Sequence, residues 1–254
     1  MKPYIGVTGF TKRGEVEDAL SVFHCARGRK LMVGVLASWK SIRGIPMNPK
    51  WQAQTPNLEA IKDIFCADER VLNLVHYSAH SRREQETLFS DMFKIYECAE
   101  KNFHGFQLNI PWPNLHQLDD YRSLDYGSTH TIILQIGKDS VLDVGGTPEG
   151  MVSALENYVG VVDGVLFDPS GGRGEPFDPE RAILYLSAIE DAGWNLGLGV
   201  AGGLGPHTNH LIKPVAKRFQ DISIDAQGKL RDSGNNLDTE AMKRYLVNML
   251  NILS

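Results

Sequence analysis

The stretch VVDGVLFDPSGGRGEPFDPERAILYLSAIEDA, residues 161–192, joins a strand-like run to a helical run through a glycine-rich loop. Residues 161–167 form an apolar run, and residues 179–192 carry apolar side chains at helical spacing. Asp168 therefore ends a predicted strand, beside a loop with three glycines in residues 171–174. Glycine lets a backbone approach a ligand closely, so this pattern indicates a site. A glycine-rich turn that only reverses the chain fits the same residues.

Short runs rich in Val, Ile and Leu alternate with longer amphipathic stretches along the whole chain, which is typical of βαβα architecture. The predicted strands are residues 4–8, 31–36, 71–77, 105–109, 131–136, 164–167, 196–201 and 219–222. The predicted helices are residues 15–25, 82–101, 115–121, 148–158, 179–192, 207–217 and 238–253, and a long loop is predicted over residues 37–56.

Eight predicted strands at roughly 30-residue spacing match the length of a repeated βα unit. No low-complexity linker or shift in composition divides the chain, so we predict one (β/α)8 TIM barrel domain over residues 1–254. The alternative is an open doubly wound sheet, which usually carries a GxGxxG fingerprint at its first β–α turn. That turn reads Thr8-Gly9-Phe10-Thr11 here, which favours the barrel.

The composition is that of an ordinary soluble protein, with 42% hydrophobic and 22% charged residues. A net charge of −5 provides no basic field for nucleic acid or an anionic membrane, so neither is an expected partner. The three cysteines have no metal-ligand spacing, and no signal peptide or membrane-spanning run is recognisable. We therefore expect a cytoplasmic protein without metal or cofactor, and a homodimer as the commonest assembly.

Residues at the carboxyl ends of barrel strands meet on one face, where the active sites of such barrels lie. Solvated loops also collect polar residues there, so only part of the set is expected to be functional. The candidates are Thr8, Thr11, Ser41, Arg43, His76, Tyr77, Gln107, Asn109, Gln135, Asp168, Arg173, Gly202, Gly203, Asp221, Ser223 and Asp225.

A phosphate site is predicted at the seventh and eighth strands. Gly202 and Gly203 end strand seven, just before a predicted helix, where backbone N–H groups and a helix dipole favour an anion. Asp221 and Ser223 follow at strand eight, and the Ser223 hydroxyl could donate to a phosphate oxygen. A helix cap with a tight turn is the competing explanation.

Several short motifs share one family pattern, and they occur at residues 6–11 (GVTGFT), 34–43 (GVLASWKSIR), 107–109 (QLN), 168–178, 201–204 (AGGL) and 221–223 (DIS). Together these motifs resemble the phosphoribosylanthranilate isomerase family of ribulose-phosphate-binding barrels. The resemblance implies an Amadori rearrangement, which converts an aminoaldose phosphate into an aminoketose phosphate. It places Asp168 as the general acid and Arg43 as the partner of the substrate's aromatic carboxylate. It also implies substrate binding by Gln107 and Asn109, and phosphate binding by Gly202, Gly203, Asp221 and Ser223. Arg173 stands where the family has a small hydroxyl residue, and we expect it to contribute to substrate binding through its positive charge.

The chain departs from this family at the catalytic base. Thr8 stands where the family has a cysteine, and an aliphatic hydroxyl needs a separate activator to accept a proton. His76 could supply that activation from strand three. The family's Ser-Ser-Gly phosphate motif also becomes Ser223-Ile224-Asp225. We therefore predict a diverged relative in which Thr8 and Asp168 are the catalytic candidates and the ligand is a phosphorylated sugar.

Three alternatives remain open. The scaffold could carry an epimerase, aldolase or hydrolase that pairs Asp168 with Asp221 or Asp225. A metal site built from Asp168, His76 and Asp225 is conceivable, although no local sequence signature supports it. The chain could also be a phospho-ligand-binding protein that lost catalysis with the cysteine.

Overall fold

The computed structural model describes residues 1–24, 28–170 and 176–254. Its parallel strands close into a barrel in chain order. The strands are β1 (Tyr4–Thr8), β2 (Lys30–Ser38), β3 (Val71–Ser78), β4 (Gly105–Asn109), β5 (Thr131–Gly137), β6 (Gly164–Asp168), β7 (Gly197–Val200) and β8 (Ser223–Ala226). The pairing of Ile5 with Ile224 joins β1 to β8 and completes the barrel. The predicted (β/α)8 TIM barrel is confirmed.

Helices surround the strands. The α-helices are α1 (Arg13–Val22), α2 (Trp39–Ile42), α3 (Pro49–Gln54), α4 (Ile61–Ile64), α5 (Arg82–Gln85), α6 (Leu88–Ala99), α7 (Leu115–Arg122), α8 (Lys138–Asp143), α9 (Pro148–Leu155), α10 (Pro179–Asp191), α11 (Lys213–Arg218) and α12 (Thr239–Leu253). Short 3-10 turns occur at Leu58–Ala60, Glu100–Asn102, Gly127–Thr129, Glu156–Tyr158, Asn209–Ile212 and Gly228–Leu230.

Helix α10 shows how the opening stretch folds. The Asp178 carboxylate accepts hydrogen bonds from the backbone N–H groups of Glu180 and Arg181, and Pro179 occupies the first turn, where its missing N–H costs nothing. Along the helix the buried side chains are Ala182, Tyr185, Leu186 and Ile189, which share one face. This spacing packs α10 against the outside of the barrel.

Side chains along each strand alternate between the barrel interior and the surrounding helices. On β3, Leu74 and His76 point inward and Val75 packs among the outer core residues. On β6, Leu166 and Asp168 point inward in the same way. The lower interior is filled by the apolar side chains of Tyr4, Met32, Leu74, Ile133 and Leu166, and Ala201 at the carboxyl end of β7 packs onto this cluster. Polar inward residues therefore lie above an apolar floor, at the carboxyl ends of the strands.

The predicted position of strand eight is wrong by four residues. Residues 219–222 were predicted, whereas β8 is Ser223–Ala226. Phe219 instead ends α11, and Ile222 donates its backbone N–H to the Phe219 carbonyl in a turn. β8 alternates inward Ser223 and Asp225 with outward Ile224 and Ala226, so its half-polar sequence gives a weak apolar signal.

Two helix predictions also need correction. The helix predicted over residues 82–101 is divided into α5 and α6. The helix predicted from His207 begins later, as a 3-10 turn at Asn209–Ile212 followed by α11. The loop predicted over residues 37–56 contains α2 and α3, whose N-caps are Ser38 and Asn48.

Candidate active site

A chain of hydrogen bonds links the polar side chains at the top of the barrel interior. The Gln107 amide nitrogen lies 3.2 Å from Oδ2 of Asp225, 2.9 Å from Nδ1 of His76 and 3.3 Å from Oε1 of Gln135. The Gln135 amide then donates to Oδ2 of Asp168 at 3.0 Å. Five strands of the barrel (β3, β4, β5, β6 and β8) therefore hold one continuous polar layer.

Asp168 is buried at the end of β6, with 8% of its surface exposed. Its Oδ1 atom accepts hydrogen bonds from the Ser170 hydroxyl at 2.6 Å and from the Ser170 backbone N–H at 3.2 Å. These bonds and the bond from Gln135 fix the orientation of the carboxyl group. A carboxyl group held in one orientation can exchange a proton with a bound molecule at a defined place.

Asp225 lies on the same wall of the interior, and its environment resists ionisation. Burial is the main cause that raises its pKa, to about 6 from an ordinary value of 3.8. Hydrogen bonds from Thr8 and Gln107 oppose this rise, and the nearby Asp168 charge adds to it. Oδ1 of Asp225 is buried without a partner among the described residues.

Asp225→Asn is expected to stabilise the protein at pH 7 and to change its stability little at pH 4. Between about pH 4 and 6 the folded state holds more protons than the unfolded state, so the free energy of unfolding falls as pH rises through this range. About two pKa units correspond to roughly 3 kcal/mol. Urea unfolding of the wild type and of Asp225→Asn at several pH values measures the difference between their free energies of unfolding. A difference that is the same at pH 4 and pH 7 would contradict the prediction.

Thr8 is fully buried, and its hydroxyl donates to Oδ2 of Asp225 at 2.8 Å. The hydroxyl is thereby directed to a carboxylate and lies outside the cavity walls described below. His76, the activator considered from the sequence, bonds to Gln107. The geometry therefore gives Thr8 the part of a hydrogen-bond donor to Asp225.

Two adjacent lobes of a cavity lie above the polar layer and share part of their walls. The larger lobe, of about 470 Å³, we call the aromatic lobe; Trp39, Met47, Trp51 and Pro111 supply its apolar wall. The smaller lobe, of about 270 Å³, we call the glycine lobe; its wall includes Gly202, Gly203, Gly228, Lys50 and Lys229. His76, Gln135, Asp168 and Gln227 line both lobes. Asp168 thus lies where the two lobes meet.

The glycine lobe includes backbone in a conformation that favours glycine. Gly202 and Gly203 have φ angles of +102° and +65°. A Cβ atom on Gly202 would lie 2.7 Å from Oδ1 of Asp168 and 2.8 Å from the hydroxyl oxygen of Ser170. Within the described chain, the N–H groups of both glycines donate to no protein acceptor. Free N–H groups beside two lysines are suited to an anion.

Two of the predicted phosphate ligands, Asp221 and Ser223, lie away from the glycine lobe. Asp221 precedes β8, and Ser223 begins it, so both lie at the amino end of the strand. The Ser223 hydroxyl accepts the Tyr4 backbone N–H at 3.3 Å at the bottom of the barrel. Asp221 and Ser223 were predicted at the carboxyl end of strand eight because that strand was predicted four residues too early in the sequence. The residues that follow β8 into the glycine lobe are Gln227, Gly228 and Lys229.

Arg43 is engaged by protein groups. Its guanidinium makes a bidentate ion pair with the buried Asp91, at 2.9 and 3.0 Å, and donates to Thr87 at 2.8 Å. It also lies 4.4 Å from the centre of the Trp39 ring. Asp91 in turn accepts the Tyr77 hydroxyl at 2.7 Å. The carboxylate partner of Arg43 is thus supplied by the protein, contrary to the role that the resemblance implied.

Arg43→Met is expected to lower the free energy of unfolding by about 2 kcal/mol, because buried Asp91 loses its charged partner. The double variant Arg43→Met, Asp91→Leu should recover part of this loss. Chemical unfolding measures both effects. If Arg43→Met instead lowered the affinity for a sugar phosphate more than tenfold and left stability unchanged, the result would support the substrate-binding role of Arg43.

The other predicted residues divide as follows. Asn109 lines the aromatic lobe, and Gln107 lies below the cavity within the polar layer. Arg173 lies outside the described residues. Lys50 and Gln227 also line the cavity but were not among the predicted residues. Lys50 lies in α3 and Gln227 follows β8, so neither stands in a motif that predicted a site. In the described ranges no three His, Cys, Asp or Glu side chains are grouped so as to hold a metal ion, which argues against the site considered from Asp168, His76 and Asp225.

Among residues 1–24, 28–170 and 176–254, every helix is too short or too polar to cross a lipid bilayer. The phosphorylated ligand, the exclusion of nucleic acid and the homodimer stay predictions.

The sequence matches no protein-family model and no curated protein. Its fold is similar to that of solved structures over nearly the whole chain. Phosphoribosyl anthranilate isomerase from Thermotoga maritima aligns with a TM-score of 0.62 at 16% identity, covering 98% of each chain. TrpF from Jonesia denitrificans aligns with a TM-score of 0.58 at 10% identity, also covering 98% of each chain. QR15, an aldolase, aligns with a TM-score of 0.51 at 10% identity, covering 97% of this chain and 96% of that one. The chain therefore has the barrel fold of the phosphoribosylanthranilate isomerases, a fold that the aldolase shares.

Proposed function

We propose that this protein is an enzyme that binds a phosphorylated sugar and converts an aldose into a ketose, in an Amadori-type or simple isomerisation, by proton transfer at Asp168. One observation carries the proposal: the Asp168 carboxyl lies at the junction of the glycine lobe and the aromatic lobe. A ligand anchored by its phosphate in the first lobe would extend past this carboxyl into the second.

The glycine lobe supports phosphate as the anchoring group. Gly202 and Gly203 offer backbone N–H groups, and Lys50 and Lys229 offer positive charge in the same wall. The delayed start of α11 removes the helix dipole that the sequence predicted at this point. Amide groups and lysines are therefore the proposed phosphate ligands.

Lys229→Ala is expected to weaken binding of inorganic phosphate five- to tenfold, which is about 1 kcal/mol. The cause is the loss of one charge from the wall of the glycine lobe. Calorimetric titration at low salt measures the affinity. Lys217→Ala, an exposed lysine at the end of α11, is the matched control and should leave the affinity unchanged. Equal effects of the two variants would place the phosphate elsewhere.

The chemistry needs one carboxyl group in two protonation states. The protonated Asp168 carboxyl gives its proton to the ring oxygen, and the bond between C1 and that oxygen breaks. The anomeric hydroxyl loses its proton to water and becomes the C1 carbonyl. The resulting carboxylate takes the proton from C2; the C–H electron pair forms the C1–C2 double bond, and the π pair of the C1 carbonyl moves to its oxygen. Asp168 then returns the proton to C1, and the proton of the C2 hydroxyl passes to the C1 oxygen, which leaves a ketone at C2. In the Amadori case a protonated imine replaces the carbonyl.

The aromatic lobe supports a substrate with a flat or apolar group beyond the reacting carbons. Trp39 and Trp51 contribute ring surfaces to its wall, together with Pro111. Arg43 is held by Asp91, so recognition of an aromatic carboxylate by that arginine forms no part of the proposal. The strict phosphoribosylanthranilate reaction is testable by complementation of a tryptophan auxotroph that lacks the isomerase.

Isotope exchange tests the proposed reaction without assuming one product. The protein is incubated in D₂O with phosphoribosylanthranilate or with four- to six-carbon aldose phosphates, and NMR follows deuterium entering at C1 of the product or C2 of recovered substrate. Exchange that depends on protein supports the proposal. Ligand-induced thermal stabilisation without any exchange would favour a binding protein, and carbon–carbon cleavage would favour an aldolase.

A further inference from the structure

The Nε2 side of the His76 ring has no role in the proposed reaction as described so far. His76 lies on β3 with 6% of its surface exposed, and it lines both lobes of the cavity. Its Nδ1 atom contacts the Gln107 amide nitrogen at 2.9 Å. Nε2 has no hydrogen-bond partner in the described chain, yet it is not among the buried side-chain atoms that lack one. Nε2 therefore faces the cavity.

The neighbours of Gln107 determine which ring nitrogen of His76 carries the proton. The Asp225 carboxylate and Oε1 of Gln135 both accept hydrogen bonds, so the group of Gln107 that faces them is its NH₂. The two hydrogens of this NH₂ group are shared among three acceptors, and the shortest contact, 2.9 Å, is to Nδ1 of His76. Nδ1 must accept there, because an amide nitrogen does not accept hydrogen bonds. Because an accepting Nδ1 carries no hydrogen, the imidazole is neutral and its proton is on Nε2.

The surroundings of His76 maintain this neutral form. Burial is the main cause that lowers its pKa, to about 4, and the nearby His80 lowers it further. Asp168 lies on the same cavity wall and Asp225 lies one hydrogen bond beyond Gln107; their negative charge acts in the opposite direction. The donor bond from Gln107 to Nδ1 favours the neutral ring.

We propose that His76 is a catalytic residue that donates a hydrogen bond from Nε2–H, as a neutral imidazole, to the substrate oxygen on which negative charge develops during proton transfer. This inference rests on the proposed function and adds the electrophilic group to it. Gln107 is a positioning residue, because it fixes the tautomer of His76 without lining the cavity. Asp225 bonds to Gln107 and supports its orientation, and it also lines the glycine lobe.

A neutral donor is suited to this task. When the C2 proton leaves, the former carbonyl oxygen becomes an enediolate oxygen, and a preorganised N–H stabilises it at the moment it forms. A neutral imidazole can pass its Nε2 proton to that oxygen and recover it from the C2 hydroxyl. An imidazolium would already hold a second proton on Nδ1, which would displace the Gln107 donor.

The tautomer is measurable without any substrate. In protein labelled with ¹⁵N at histidine, long-range proton–nitrogen NMR should show His76 with a protonated Nε2 and a bare Nδ1 from pH 8 down to about pH 5. Gln107→Leu should raise the pKa of His76 and mix its tautomers. Exposed His210 serves as the internal control. A His76 that titrates above pH 6, or that carries its proton on Nδ1, would overturn the inference.

Binding of an enediolate mimic tests the catalytic role separately from turnover. The probe is 4-phosphoerythronohydroxamate, whose hydroxamate resembles the enediolate of a five-carbon aldose phosphate. We expect His76→Ala to weaken it at least 100-fold while weakening inorganic phosphate less than threefold, and His76→Gln to restore part of the loss through its amide donor. Equal weakening of both ligands, or unchanged binding of the mimic, would overturn the role.

The rate effect completes the test. In the deuterium assay we expect His76→Ala to reduce kcat by about 10²- to 10³-fold with a smaller change in KM, as for loss of one oxyanion donor. His210→Gln should leave both constants unchanged. If the wild-type protein exchanges no deuterium with any sugar phosphate, the proposed function fails. The NMR measurement of the His76 tautomer and the affinity for the enediolate mimic still test the inference on His76.

Discussion

Asp168→Asn is expected to reduce the rate of deuterium exchange by about 10²- to 10⁴-fold, the usual contribution of a positioned acid–base group. Asparagine keeps the shape of the side chain and can still accept from Ser170, so the fold and the glycine lobe should be retained. Inorganic phosphate should therefore bind with nearly unchanged affinity. The measurement is kcat from the NMR assay together with a phosphate titration of the same preparation.

Asp221→Asn is the matched control for that variant. Asp221 is a predicted phosphate ligand, but it lies exposed before β8, at the amino end of the strand. Its replacement should leave turnover and phosphate affinity unchanged. If Asp221→Asn impairs the reaction and Asp168→Asn does not, the site is on the other face of the barrel and the proposed function is wrong.

Gly202→Ala is expected to abolish phosphate binding and to cost about 3 kcal/mol of stability. The φ angle of +102° is unfavourable for alanine, and its methyl group would overlap Oδ1 of Asp168 and the Ser170 hydroxyl. Relief of this overlap must move either the carboxyl or the loop that carries the Gly203 N–H. Phosphate affinity, turnover and the free energy of unfolding should all fall together.

Gly14→Ala separates this effect from a general response to replacing glycine. Gly14 lies in α1, and a Cβ atom there meets no heavy atom within 4 Å. Alanine should raise stability by about 0.5–1 kcal/mol through helix propensity alone. A Gly202→Ala protein that unfolds like Gly14→Ala and still binds phosphate would show that the glycine lobe does not hold the anion.

Much of the fold was predictable because the strands that build it are apolar or alternate in a regular way. Seven of the predicted strands overlap the observed ones, since runs such as Tyr4–Thr8 and Val71–Ser78 are buried on both faces. β8 was misplaced because its inward Ser223 and Asp225 interrupt the apolar signal. The same polar residues are what the barrel interior requires at that strand.

The candidate site was predictable in part. Strand position identified Asp168, Gly202 and Gly203 as candidates, because the carboxyl ends of parallel strands share one face. The sequence could not show that Thr8 would turn to Asp225 or that Arg43 would be held by Asp91, 48 residues away. Such pairings depend on which side chains the closed barrel brings into contact.

The sequence by itself determined the eight-stranded barrel and the presence of a carboxylate beside glycines at the end of β6, because hydrophobic periodicity and glycine content are local properties of the chain. The tertiary structure decided which polar residues face the cavity, that Lys50 and Lys229 complete the glycine lobe, and how Gln107 sets the proton on His76. These features arise from contacts between strands and loops far apart in sequence, where burial and hydrogen-bond geometry select one partner among many.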